Sequence, residues 1–485
     1  MLEIGAAVLT VGAMLYHVGS LSLCTIGYIG IGLIVLCLII FRSRQGIIAG
    51  LIAGSILLLG ALSMWRVDVP LNEKIFGNRA FDARVVSVDR RLERTNVIVV
   101  DTEYEHKLQL VVRDRVLVLP GDRVAVRGEV ERPQGFTTDT GRVFEYAQYL
   151  QSKGIVGLVQ NPIIGPVTDT EFAITRIPTR IRYAIADIFS KHVSFPFDGV
   201  LAGIVVGYQG GLPSSIQDLF RNTGVLHVLV LSGYNITLLA GFLAILLRGL
   251  PFRMRNIVTI VAIILLVLIS GAGVASVRAG IMGGIAVLAG LSIRTYNAIR
   301  ALTLAYLIFF FVSPTTVFVD PGFHLSFLAT LFMILVLPKV ETLFGWIPET
   351  RHINLRELLM LAVSAPLFML PYMMYFSGMF PLVSPVANIL FAVVTPILMI
   401  GGIVLMLLSW VIPLANVIGM LLSGLGNFVL WFLRWCDTFY IWQTPSISWW
   451  GVSLVYVVVI GIIFRRELTL FVSQLYRVLR PPSSQ

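Results

Sequence analysis

Polar and ionisable side chains recur inside the most apolar stretches of this chain: His227, Ser232, Asn235, Arg278, His324, Ser326 and Asn388. In a low-dielectric setting such groups pair with one another, bond neighbouring backbone, or border a path for a polar solute. Arg278 would offer an anion a permanent charge and a fork of donors, while the others exchange hydrogen bonds. Ser232-Gly233, in the middle of an apolar run, reads as a helix break, and broken membrane helices expose backbone amides to anionic ligands. Asp320, just before Gly322-Phe-His324, is read either as a helix cap or as a partner for Arg278. The plainer reading of each polar group is interhelical glue, at about 0.6 kcal/mol per contact.

Other chemistries find no support. The six histidines (His17, His106, His192, His227, His324, His352) are scattered, with no His-x-His-x-Asp cluster to hold a metal. Cys24, Cys37 and Cys436 fall in apolar stretches or at their edges and read as small buried hydrophobes. No Gly-x-x-x-x-Gly-Lys-[Ser/Thr] phosphate loop is present, and Ser232 lacks the Gly-x-Ser-x-Gly setting of an activated nucleophile. No catalytic residue, metal or cofactor is expected.

The elements that must hold these groups are set by hydropathy. The 485 residues are 57% hydrophobic and 13% charged, with a mean hydropathy of +0.88. A bilayer-spanning helix needs about 20 apolar residues. Stretches of that kind predict spans near 4–20, 22–41 and 46–65, then near 226–247, 256–271, 276–292, 298–313, 322–338, 356–376, 386–410, 415–436 and 449–464. The fold class is thus a polytopic α-helical membrane protein of about twelve spans. The net charge of +10 sits largely in short loops: Arg42 and Arg44; Arg248, Arg253 and Arg255; Arg294 and Arg300; Lys339, Arg351 and Arg356; Arg465 and Arg466. Assigned to the cytoplasm by the positive-inside rule, these loops put both termini inside and residues 67–222 outside.

Residues 67–168 carry charge throughout and read as a soluble insert. Val-rich segments 80–88, 95–101, 107–113 and 123–130, a short helix from Val143 to Lys153 and a closing strand at 154–159 predict a small OB-like β-barrel. Pro120-Gly121-Asp122 is a strong turn. Residues 171–192 read as an amphipathic helix in the outer interface. Residues 197–210, with Gly199, Gly203, Gly207 and Gly210, read as a re-entrant or closely packed segment within 169–222. A transmembrane core is expected at 223–466 and a cytoplasmic tail at 467–485.

The ordered motifs are Pro120-Gly121-Asp122, Phe144-Glu-Tyr-Ala-Gln-Tyr-Leu150, Lys153-Gly-Ile155, Leu201-Ala-Gly203, Gly224-Val-Leu-His227, Leu231-Ser-Gly233, Ser276-Val-Arg278-Ala279, Gly322-Phe-His-Leu-Ser-Phe-Leu-Ala329 and Ser384-Pro385-Val-Ala-Asn388. In these the chain resembles the ComEC-type competence DNA-uptake channel family over nearly its whole length. The resemblance implies an inner-membrane channel for single-stranded DNA in natural transformation. His227, Ser232, Gly233, Asn235, Arg278, Asp320, His324, Ser326 and Asn388 would line its path. Members usually carry a His where this chain has Asn235, so a proton-transfer role there is in doubt. Many members also carry a C-terminal metallo-β-lactamase-like domain. This chain ends at Gln485, so a separate nuclease is expected, with a separate DNA receptor and a cytoplasmic motor or helicase.

For the insert, the resemblance implies DNA contact, with Arg79, Arg84, Arg90, Arg91 and Arg94 as candidates and Phe81 and Tyr104 as stacking rings. Asp82, Asp89 and Glu93 interleave with those arginines, so a docking module is the competing reading. For the whole chain the alternative is a secondary transporter of a small anionic or lipid-linked solute.

Overall fold

In the computed structural model the described residues are 73–465, apart from 114–115, 139–140, 293, 342–354, 440, 444–446 and 464. The expected spans before residue 67, the loop of Arg42 and Arg44, and the tail 467–485 lie outside them.

The insert folds as a barrel. Its strands are β1 (Gly77–Arg90), β2 (Thr95–Asp101), β3 (Lys107–Val112), β4 (Asp122–Glu131), a small hairpin of β5 (Phe136–Thr137) and β6 (Val143–Phe144), then helix α1 (Tyr146–Ser152), β7 (Ile155–Gln160) and β8 (Ile163–Thr170). The ladder runs β1-β2-β3-β7-β4 and closes by antiparallel pairing of β1 with β4. Closure removes the free edges of a five-stranded sheet. Alternate residues point inward, so Val97, Val99, Leu108, Leu110, Val124, Val126, Val130 and Val159 fill the interior. The four early strands and the closing strand lie where the sequence predicts them. β8 was not predicted. It continues along the β4 edge beyond β7, is mostly exposed, and holds Gly165 and Pro166, which erase a strand signal.

Thirteen further helices among the described residues follow. They are α2 (Arg176–His192), α3 (Phe197–Val206), α4 (Ser214–Asn222), α5 (Gly233–Leu246), α6 (Phe252–Ile269), α7 (Val274–Leu291), α8 (Ala298–Val312), α9 (Pro314–Val319), α10 (Pro321–Val340), α11 (Leu355–Phe376), α12 (Ser384–Leu408), α13 (Ile412–Asp437) and α14 (Trp449–Ile463). Six are long and apolar enough to cross a membrane: α6, α7, α10, α12, α13 and the Leu359–Phe376 part of α11. Their outward faces stay apolar, as lipid contact requires; Ile257, Val261, Ile264, Val393, Ile397, Trp431 and Trp435 are all exposed.

Three of the nine spans expected from residue 226 onward are not among these six. Residues 226–247 divide into a 3₁₀ turn, Leu226–Leu229, and the 14-residue α5, because Ser232 is extended (φ −100°, ψ 170°). α8 ends where the sequence predicts, just before Pro314, and α14 is described over Trp449–Ile463.

The main core gathers α2, α3, α12 and α13. α3 is buried on every side, and its glycines admit backbone rather than side chains. A Cβ at Gly199 would sit 2.7 Å from the Gly211 carbonyl, and one at Gly203 3.2 Å from that of Leu229. This is the close packing that small residues allow. Amphipathic α2 turns Ile185 and Phe189 into this core and leaves Ile177 exposed. α10 contains a π turn at Phe332–Val336, ahead of Pro338, whose ring cannot accommodate a regular preceding turn.

The insert is tied to one end of this bundle. Arg182 reaches the Val88 and Ser270 carbonyls, and Ser313 and Thr315 donate to the Ser152 carbonyl. Phe144 packs edge-on against Phe376. The loops after α6, α8 and α11 therefore share the insert's end, and the basic residues of the α5–α6 and α7–α8 loops sit at the other.

Candidate functional site in the helical core

Arg278 lies one turn inside α7 and is 7% exposed. Its Nη1 donates to the Ser326 carbonyl and to Oγ1 of Thr330, both on α10. The Phe327 ring centroid is 5.9 Å from its guanidinium carbon. On the far side the guanidinium meets the start of α5: a Cβ on Gly233 would lie 3.6 Å from Arg278 Nη2. Ser232 makes no side-chain capping bond to the first amides of α5. Two electropositive features thus converge, a guanidinium and a helix N-terminus. Among the described residues no carboxylate forms an ion pair with Arg278. Its Nε and the Ser326 Oγ are buried without a partner, although buried polar atoms are nearly always bonded.

Three path candidates are absorbed in packing. Asp320 accepts from the Gly322 amide at 2.7 Å and the Phe323 amide at 3.4 Å, so it caps α10 instead of pairing with Arg278. His324 uses both ring nitrogens, Nε2 at 2.8 Å from the Val317 carbonyl and Nδ1 at 2.8 Å from the Tyr372 hydroxyl. A carbonyl only accepts, so Nε2 carries the hydrogen and neutral Nδ1 accepts from Tyr372. Asn235 is 2% exposed and donates to the Ile204 carbonyl at 3.1 Å, fastening α5 to α3.

A second group lines an accessible face. Tyr234, Thr237 and Gly241 are exposed at spacings of three and four on α5, and His227 and Val230 are exposed before the break at Ser232. The Tyr234 hydroxyl reaches the Ala392 carbonyl on α12 at 3.5 Å. One turn earlier on α12, Asn388 donates to Ser384 Oγ at 3.0 Å. Gly224, with φ +75°, allows Ser384 to approach; a Cβ there would be 2.6 Å from its hydroxyl. The structure therefore joins Gly233, Arg278 and Ser326 in one centre, sets Tyr234 and Asn388 along the α5–α12 face and leaves His227 on the 3₁₀ turn before α5. Phe327 and Thr330 were missed; the signal was the i, i+4 spacing of Ser326 and Thr330 on one helix face.

The insert's candidate arginines are mostly engaged. Arg79 pairs with fully buried Asp101 and lies over Tyr104 and over Phe81, which is itself buried. Arg84 pairs with Glu171, Arg91 with Asp89, and Arg90 donates to the Val118 carbonyl while covering Tyr183. Arg94 is exposed. The Pro120-Gly121-Asp122 turn anchors the barrel to α2. Gly121 has φ +93°, and a Cβ would strike the Glu171 carbonyl. Asp122 accepts from the Leu119 amide at 2.8 Å and Thr170 at 3.1 Å and pairs with Arg176. Burial pushes the Asp122 carboxyl up, but the Arg176, Leu119 and Thr170 hydrogen bonds outweigh it and hold it below the ordinary range. Glu171 is lowered by Arg123 and then Arg84.

Comparison with known proteins agrees with this architecture. Residues 204–469 match the Competence protein family. ComE operon protein 3 of Bacillus subtilis (strain 168) is 24% identical over 288 residues, covering 56% of this chain and 34% of that protein. The chain thus spans about a third of that relative's length. No solved structure matches. With more than half of its residues matched, and with the motif-bearing helices around Arg278 inside the matched region, the chain belongs to the Competence protein family.

Proposed function

We propose that this protein is a multi-pass component of the bacterial plasma membrane that passes single-stranded DNA inward during natural transformation. The observation that carries the reading is the Arg278 centre, where a guanidinium and the uncapped start of α5 converge with no carboxylate among the described residues paired to them. A phosphate would complete such a centre. Exposed His227 and Tyr234 offer hydrogen bonds along a strand. The match of residues 204–469 to the Competence protein family supports the same reading.

Under it, the apolar stretches before residue 67 complete about twelve spans with both termini cytoplasmic, and the insert lies outside. No chemistry falls to the chain itself: a receptor, a motor or helicase and a nuclease are separate proteins. Because Arg278 is only 7% exposed, a compact anion is the second reading.

The test uses the full chain in proteoliposomes under an inside-positive potential, with labelled oligothymidylate and inorganic phosphate as alternative cargoes. Oligonucleotide uptake that falls at least tenfold in His227→Ala is expected. Passage of phosphate alone would replace the proposal with the second reading.

A further inference from the structure

We infer that the seam between barrel and helices carries a stacking site for unpaired nucleobases, built by Phe136, Phe144, Tyr146 and Tyr149 and flanked by Lys107 and Lys153. The inference rests on single-stranded DNA being the substrate.

The rings come from local structure. Hairpin strands β5 and β6 pair Phe136 with Phe144, and Tyr146 and Tyr149 share a face of α1 by their spacing of three. Ring centroids are 5.5 Å apart for Phe136–Phe144, 6.0 Å for Phe136–Tyr146 and 5.8 Å for Phe144–Tyr149; Tyr146 and Tyr149 stack at 6.2 Å with planes 25° apart. Phe144 also meets Phe376 at the end of α11, 5.8 Å away and nearly perpendicular. The cluster is therefore anchored to the membrane part while remaining on the insert.

A cluster that served only packing would bury its rings. Here Phe136 is 52% exposed, and Phe144, Tyr146 and Tyr149 are half-buried. The charge beside them selects the occupant. Lys153 Nζ lies 4.2 Å from the Tyr149 centroid. A Cβ on Gly154 would be 3.7 Å from Lys107 Nζ, so both ammonium groups flank the turn after α1. Neither forms an ion pair among the described residues. Glu145 is the neighbouring acid and is exposed. Aromatic faces bordered by net positive charge suit a polyanion with stacking bases, and stacking tolerates any base sequence. The β1 arginines, by contrast, are engaged within the protein.

The experiment measures fluorescence anisotropy of labelled oligothymidylate, and of an abasic strand of equal length, with the full chain in nanodiscs. Wild type is expected to prefer the base-bearing strand. Phe136→Leu and Tyr146→Leu, which keep apolar bulk without a ring, should each weaken that strand about five-fold or more and leave the abasic strand unchanged. Phe136→Trp should restore the preference. If wild type binds neither strand, both the substrate reading and the site are overturned. If wild type binds both strands equally, or the leucine variants keep the preference while folded, the site alone is overturned.

Discussion

Replacing Arg278 separates a transport role from a packing role. Arg278→Met keeps length and apolar bulk but removes the charge. Two charge-assisted hydrogen bonds are lost, to the Ser326 carbonyl and Thr330 Oγ1, together about 3–6 kcal/mol. Against this, an arginine costs about 2.5–3.5 kcal/mol at the centre of a membrane helix and less one turn from its end, where Arg278 lies, and methionine relieves that cost. Thr330 continues to donate to the Ser326 carbonyl at 3.0 Å, so neither α10 group is orphaned. The net loss is then between about 0 and 6 kcal/mol, which is why uptake must be normalised to membrane abundance. Arg278→Lys restores a point charge without the fork.

The assay is DNA uptake in a deletion strain complemented with each variant, normalised to membrane abundance. If the guanidinium meets phosphate, methionine lowers uptake at least tenfold and lysine recovers part of it. If Arg278 is only glue, uptake follows abundance and the two variants behave alike. Wild-type uptake by Arg278→Met at normal abundance would refute the reasoning.

Asp122→Asn leaves the Leu119 amide facing an NH₂ group and strips Arg176 of its counter-ion, a loss of about 3 kcal/mol; hydrogen exchange of the Leu119 amide should speed up about 100-fold. In wild type the carboxyls of Asp122 and Glu171 are both lowered. Their contribution is therefore complete above about pH 4, the unfolded value, and is lost as pH falls through their lower folded values; thermal melts of the purified chain at pH 6 and pH 3 should show the insert weakened only in acid. Gly224→Ala combines a positive φ of +75° with a Cβ 2.6 Å from Ser384 Oγ, so a drop of several degrees in Tm in detergent is expected, whereas Gly233→Ala, with contacts of 3.6 Å, should leave Tm unchanged or raised.

The sequence by itself determined what depends on neighbours along the chain. Hydropathy marks a helix because lipid solvates each turn locally, which is why α6, α7, α10, α11, α12 and α13 overlap the predicted spans with ends shifted by a few residues. Alternation and the Pro120-Gly121-Asp122 turn marked the barrel for the same reason. Where local signals conflict the reading faltered: Pro166 hid β8, and the extended Ser232 divided a helix that hydropathy alone would have continued.

Tertiary structure alone decided which polar groups meet. Asp320 and Arg278 looked like partners by charge, but Asp320 found the amides of its own helix first. His324 and Asn235 were consumed by carbonyls on other elements. Gly233, Arg278 and Thr330 are distant in sequence, and only the packing of α5, α7 and α10 puts them side by side. A hydrogen bond is made at about 3 Å, and no pattern along the chain carries distance at that resolution.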